Sequence, residues 1–77
     1  MFEKLRDLLV SKFDFKEDQI TEETKLSTDL GLNSIELAEL IMACEDEFGI
    51  TIEDEDIHDF ETVKDVADYL EKLVNNK

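Results

Sequence analysis

Few side chains in this sequence could do chemistry: Ser34, Cys44, His58 and the acidic run from Glu53 to Asp59. His58 is the only histidine, and no Ser-His-Asp or Cys-His arrangement surrounds it, so the residues give no support to nucleophilic catalysis. The acidic run lacks the alternating ligands, central glycine and closing glutamate of an EF-hand loop. That leaves weak, non-specific divalent binding and no dedicated metal site. Ser34 stands apart because of where it falls. In the run DLGLNSIELAEL, Asp29 to Leu40, loop changes to helix: Gly31 relieves the backbone, Asn33 and Ser34 are both good N-cap types, and apolar residues recur at helical spacing from Leu37. A serine hydroxyl at a helix N-terminus meets backbone N–H groups and the positive end of the helix dipole, surroundings that favour a phosphate. The plainer reading is a serine that caps the helix and does nothing else.

The elements that must position Ser34 follow from periodicity. Residues 2 to 13 read as a first helix, with Phe2, Leu5, Leu8, Leu9 and Phe13 on one face and Glu3, Lys4, Arg6, Asp7 and Lys12 on the other. Residues 16 to 33 are mostly polar, but Ile20, Leu26, Leu30 and Leu32 can pin them to a core, which predicts an ordered loop. The second helix is expected from Ser34 to Phe48, with Gly49 in the left-handed position that ends it. At about 100° per residue, Leu37, Leu40, Ile41, Cys44 and Phe48 share its core face, which marks Cys44 as a small packed hydrophobe. Ile35, Glu39, Met42 and Asp46 fall opposite. Two large apolar side chains among acids on a solvent face exceed what folding asks of this helix and mark a binding surface.

Ile50, Thr51 and Ile52 have no pairing partner for a strand and are expected to tuck Ile50 or Ile52 inward. A short helix follows with Asp54 as its N-cap and Ile57 and Phe60 facing in. The last helix opens on Thr62 and Asp65 at capping-box spacing and carries an apolar stripe of Val63, Val66, Ala67, Leu70, Leu73 and Val74. Asn75, Asn76 and Lys77 are expected to fray. Without a repeat, a low-complexity tract or an internal boundary, residues 1–77 read as a single all-α domain, a small four-helix bundle of three longer helices and one short one. No apolar run approaches the roughly 18 residues of a membrane span. No signal peptide is visible and Cys44 is the only cysteine, which fits a reducing compartment and predicts a cytoplasmic chain.

Several runs together resemble the acyl carrier proteins of dissociated fatty acid synthesis. They are Asp29 to Glu36, then Glu39-Leu40-Ile41-Met42-Ala43, Glu45-Asp46-Glu47-Phe48, Ile50-Thr51-Ile52, the acidic Asp54-Glu55-Asp56, and Thr62-Val63 with Asp65-Val66 and Tyr69-Leu70. The resemblance covers essentially the whole chain. It implies a carrier and not an enzyme. Its serine, here Ser34, is modified from coenzyme A by a phosphopantetheinyl transferase, and the arm's thiol holds acyl groups as thioesters. It also implies recognition of basic patches on synthase enzymes through Ile35, Glu36, Glu39, Met42, Glu45 and Asp46. Cargo shelter between the helices matches Leu26, Cys44, Ile52, Ile57, Phe60 and Val66, with the bulk of Phe60 favouring shorter chains. The family usually has Asp immediately before its serine, and this chain has Asn33. As an N-cap the two are nearly equivalent, but a charge beside the serine is lost. A carrier dedicated to polyketide, aminoacyl or modified-lipid assembly therefore stays open beside the fatty acid reading. The reading from a different class is an acidic helical adaptor or divalent-ion buffer in which Ser34 is only a cap.

Charge gives a signal of its own. The net charge is −14 over 77 residues, and no Lys or Arg occurs between Lys25 and Lys64. That balance argues against nucleic acid and anionic membranes as partners, opposes self-association and so favours a monomer, and suits a partner with a basic surface. Self-repulsion is the cost. Added salt or divalent cations are therefore expected to raise the melting temperature by screening; a thermal melt that responds to neither would contradict this.

Overall fold

A computed structural model describes residues 1–75. It contains α1 (Phe2–Phe13), α2 (Ser34–Phe48), α3 (Asp54–Ile57) and α4 (Val63–Asn75), with a 3₁₀ turn at Glu17–Gln19 in the first loop. Both long helices expected in the first half have the bounds that periodicity gave them. Gly49 closes α2 in the left-handed region (φ 63°, ψ 43°), its N–H on the Glu45 carbonyl. The end of α1 uses Asp14 at φ 64°, a conformation that a short polar side chain tolerates better than most. Among the described residues there is no strand, and the bundle is all-α.

Three helices bring their stripes to one core. Leu5, Leu8 and Leu9 come from α1, Leu40, Ile41 and Cys44 from α2, and Val63, Val66, Ala67 and Leu70 from α4. Ile52 joins them, with Ile50 half-buried beside it. Ile20, Leu26 and Leu32 anchor the long loop as expected. Side-chain anchoring is only half of that loop's order, because its backbone also pairs with the start of α4. Leu26 N–H donates to the Glu61 carbonyl (2.9 Å), Val63 N–H to Thr24 (2.9 Å) and Lys64 N–H to Glu22 (3.0 Å). The buried Thr24 side chain is satisfied locally, accepting from Thr21 N–H at 2.8 Å and donating to the Gln19 carbonyl at 3.3 Å.

Two expectations need correction. Asp54 is not the cap of α3 but its first helical residue. The capping position is Glu53, which makes no side-chain cap bond, so three acids in the first turn complement the dipole without closing the helix end. Asn75 lies within the last turn of α4 and does not fray from it; the expectation for Asn76 and Lys77 falls outside the described residues.

The start of α4 has the reciprocal bonding that its sequence predicts. Thr62 Oγ1 accepts from Asp65 N–H (3.2 Å), and Asp65 Oδ2 accepts from the N–H groups of Thr62 and Glu61 (both 3.1 Å). The Thr62 N–H, joined by that of Glu61, holds the Asp65 carboxyl below the usual carboxylate range. A lowered value favours the charged form in the folded state. The stabilisation is thus complete above the unfolded value of about 3.9 and is lost as pH falls through the folded one. Asp65→Ala should lower the melting temperature at neutral pH, with the gap to the parent protein closing as the pH falls below the ordinary carboxylate range in melts recorded across acid conditions.

Candidate functional site

The turn before α2 sets the position of Ser34. Gly31 takes φ 66°, and a Cβ there would meet no atom within 4 Å, so the backbone angle alone calls for glycine. Leu32 is buried, and the chain emerges at Asn33 in an extended conformation. Asn33 Oδ1 accepts from Glu36 N–H at 2.8 Å, and Glu36 Oε1 accepts from Asn33 N–H at 3.3 Å. This capping box makes Asn33 the cap and Ser34 the first helical residue. Ser34 is exposed, and among the described residues its hydroxyl has no hydrogen-bond partner. The N–H groups of Ser34 and Ile35 are likewise unpaired, since the first turn bonds through Glu36 N–H and through Leu37 N–H to the Asn33 carbonyl (2.9 Å). A hydroxyl therefore stands beside two open backbone donors.

Ser34 also borders a cleft of about 460 Å³ between α2 and α3, lined by Leu37, Ala38, Asp54, Ile57, His58 and Phe60. Of the six residues assigned to cargo shelter by resemblance, only Ile57 and Phe60 reach this cleft. Leu26, Cys44, Ile52 and Val66 are each at most 5% exposed and fill the core instead. Leu37, Ala38, Asp54 and His58 were not foreseen as lining residues. Behind the cleft, the Phe60 ring meets Tyr69 of α4 edge-on (centroids 5.1 Å apart, planes at 70°), and Tyr69 Oη donates to Asp56 Oδ2 at 2.6 Å. Burial, then the bond to Asp56, pushes the Tyr69 hydroxyl above its ordinary range and keeps it a donor.

The outer face of α2 divides in a way that helical phase anticipated. Ile35 and Met42 are 70% and 62% exposed, and Glu39 and Asp46 are exposed with them. Glu36 and Glu45, assigned to the same face by resemblance alone, are half-buried and already employed: Glu36 in the capping box and Glu45 accepting from Ile52 N–H at 2.9 Å. Among the described residues the ion pairs are Arg6–Glu17, Lys25–Glu61 and Lys64–Asp68, so no acid of α2 is neutralised by a cation of its own chain.

The sequence of residues 3–70 matches the family model described as a phosphopantetheine attachment site. It is 44% identical over 70 residues to the acyl carrier protein of Clostridium perfringens, covering 91% of this chain and 92% of that one. The chain belongs to the acyl carrier protein family. The acyl carrier protein of Thermotoga maritima is 40% identical over 72 residues (94% of this chain, 89% of the relative). A crystal structure of an acyl carrier protein from the same organism superposes with a TM-score of 0.83 at 32% identity, covering 96% of this chain and 86% of that one. The four-helix order derived above is thus that of an acyl carrier protein, and phosphopantetheine is the group its family carries.

That membership gives a meaning to Cys44. Its side chain is fully buried, and burial, followed by the charge of Glu45, pushes the thiol up to about 12. A thiol that stays protonated and dry is a poor nucleophile. An aromatic disulfide reagent at neutral pH should leave Cys44 unmodified in the native protein and label it fully in denaturant; rapid native labelling would contradict the packing described here.

Proposed function

We propose that this acyl carrier protein bears phosphopantetheine on Ser34 and carries acyl groups as thioesters to the enzymes of fatty acid synthesis. The observation that carries the reading is the Ser34 hydroxyl, exposed and unpartnered at the first position of α2, at the mouth of an apolar cleft. The residues present fit the group. Ser34 Oγ can reach a transferase and coenzyme A, and the open N–H groups of Ser34 and Ile35 suit a phosphodiester at that oxygen. In the transfer, a P–O bond forms to Ser34 Oγ, the pyrophosphate P–O bond of coenzyme A breaks, adenosine 3′,5′-bisphosphate leaves, and the serine proton passes to a base on the transferase. When bound, the group supplies a mobile thiol, which is the chemistry this chain's own cysteine cannot offer.

Members of the family are loaded by phosphopantetheinyl transferases and act with synthase enzymes. For this chain, Ile35 and Met42 form the apolar centre of the docking face, and Glu39 and Asp46, with the less exposed Glu36 and Glu45, pair with basic groups around it. Unneutralised acids of this kind speed encounter more than they deepen affinity. The chain acts as a carrier and not a catalyst, as one domain over residues 1–77, monomeric and cytoplasmic. Among the described residues no helix is long and apolar enough to cross a membrane.

A second reading, a carrier for polyketide, aminoacyl or modified-lipid assembly, draws on Asn33, which caps α2 without the negative charge an Asp would place beside Ser34. Incubation with coenzyme A and a promiscuous transferase should add the mass of one phosphopantetheine to the protein and none to Ser34→Ala. No gain in either would reject both carrier readings. Chain elongation by a fatty acid synthase system on the loaded protein then separates the first from the second.

A further inference from the structure

Sulfur meets two opposite environments on α2. The chain holds one cysteine and two methionines. Cys44 is fully buried, and Met1 is half-buried against the core cluster. Met42, two residues before Cys44, lies about 200° away around the helix axis and is 62% exposed. A thioether carries no acidic proton, so a hydroperoxide can attack it at neutral pH, whereas a thiol must first ionise and be within reach. Burial, then the charge of Glu45, holds the Cys44 thiol protonated. Met42 is therefore the sulfur that an oxidant in solution meets first. Its place on the helix gives that reaction a consequence. Among the described residues, Ile35 and Met42 are the large apolar side chains turned to solvent, two helical turns apart. Glu39 and Asp46, three residues before Met42 and four after it, are its exposed neighbours on the same face.

We propose that Met42 is a reversible oxidation site that controls docking: a hydroperoxide converts its thioether to the sulfoxide, and the carrier then binds its partner enzymes more weakly until the oxygen is removed. This rests on the docking face and the attachment at Ser34 proposed above. In the forward step an S–O bond forms as the peroxide O–O bond breaks. The sulfur is oxidised by two electrons and the peroxide is reduced; the proton of the transferred oxygen passes to the departing hydroxide, which leaves as water. In the reverse step a dithiol reductant gives up two electrons and two protons, becomes a disulfide, and the oxygen leaves as water. A sulfoxide is polar, and burying it at the centre of a contact strips water that a thioether does not hold. It also sets a further hydrogen-bond acceptor between Glu39 and Asp46, whose charges no cation of this chain neutralises among the described residues. The bundle itself is spared, because Met42 lies outside the core.

The test uses the full-length protein before loading, since the thiol of a loaded arm would also react with peroxide. Dilute hydrogen peroxide at neutral pH should add one oxygen, which peptide mass mapping places on Met42 ahead of Met1, with Cys44 unchanged. Once the peroxide is removed, loading from coenzyme A by a promiscuous transferase reports docking. Oxidation should raise the KM for the carrier about tenfold, the loss of less than two buried methylenes of apolar contact, with kcat nearly unchanged. Methionine sulfoxide reductases acting on both epimers should return KM to its starting value. Met42→Leu, whatever its own KM, should be indifferent to peroxide, and Met42→Gln should start with a raised KM. The thermal midpoint should hardly move on oxidation, which separates lost docking from lost folding. Oxidation that unfolds the protein at the assay temperature would overturn the inference. So would Met1 or Cys44 reacting first, a rise in KM that Met42→Leu shares or that the reductases do not reverse, or a loss of kcat alone. A KM indifferent to both oxidation and Met42→Gln would remove Met42 from the docking face as well. Failure of the untreated protein to load would instead remove the Ser34 reading, and this one with it.

Discussion

The reciprocal bonds between Asn33 and Glu36 are short-range and easily overlooked, yet the rest of the molecule depends on them. They decide which residue is the cap of α2 and which is its first helical residue. A shift of one residue would turn Ser34 by about 100° around the helix axis, away from the cleft, and would turn Ile35 and Met42 away from solvent. The core face and the outer face of α2 share one phase. Fixing the first turn therefore fixes packing, the exposed apolar pair and the serine together. The same economy explains why the backbone before Asn33 is so constrained: a left-handed glycine, then a buried leucine, leave the chain one direction in which to enter the helix.

Position and strength are supplied by different parts of the fold. The buried cluster of α1, α2 and α4 is the stable part, with the long loop tied to the start of α4 by backbone bonds as well as by Ile20, Leu26 and Leu32. Against that frame α3 is light: one turn, no cap, and a tie through Tyr69. Segments with little buried area and few hydrogen bonds open at lower free energy than the whole molecule. The compliant element thus lies beside Ser34 and the rigid ones elsewhere.

The sequence made some of this legible and hid the rest for identifiable reasons. Helix bounds were readable because α1 and α2 have clean apolar periodicity and because Gly49, Asn33, Thr62 and Asp65 are punctuation with a physical mechanism. Exposure of Ile35 and Met42 followed from phase alone. The pairing of Leu26 with Glu61 and of Thr24 with Val63 could not be read, because backbone bonds leave no side-chain signature. The cleft was half legible. Ile57 and Phe60 were named, but an apolar residue in a core and one lining a cleft look alike in a string, so the sequence could not separate them from Leu26, Cys44, Ile52 and Val66, which are buried in the core. Asp54 and His58 were missed because a one-turn helix has no period from which to infer a face.

The buried thiol has a consequence for fidelity. Any protein that holds an acyl thioester on a long arm also exposes it to the nearest competing sulfur, and an intramolecular competitor acts at high effective concentration. Acyl transfer from the arm to a cysteine on the same chain would be nearly neutral in energy and would strand the cargo where no downstream enzyme could collect it. Cys44 is placed so that this side reaction lacks its reagent: the sulfur is out of reach in the core, and burial suppresses the thiolate that would attack. Packing α2 tightly thus does more than stabilise the bundle. It keeps thioester exchange confined to the arm.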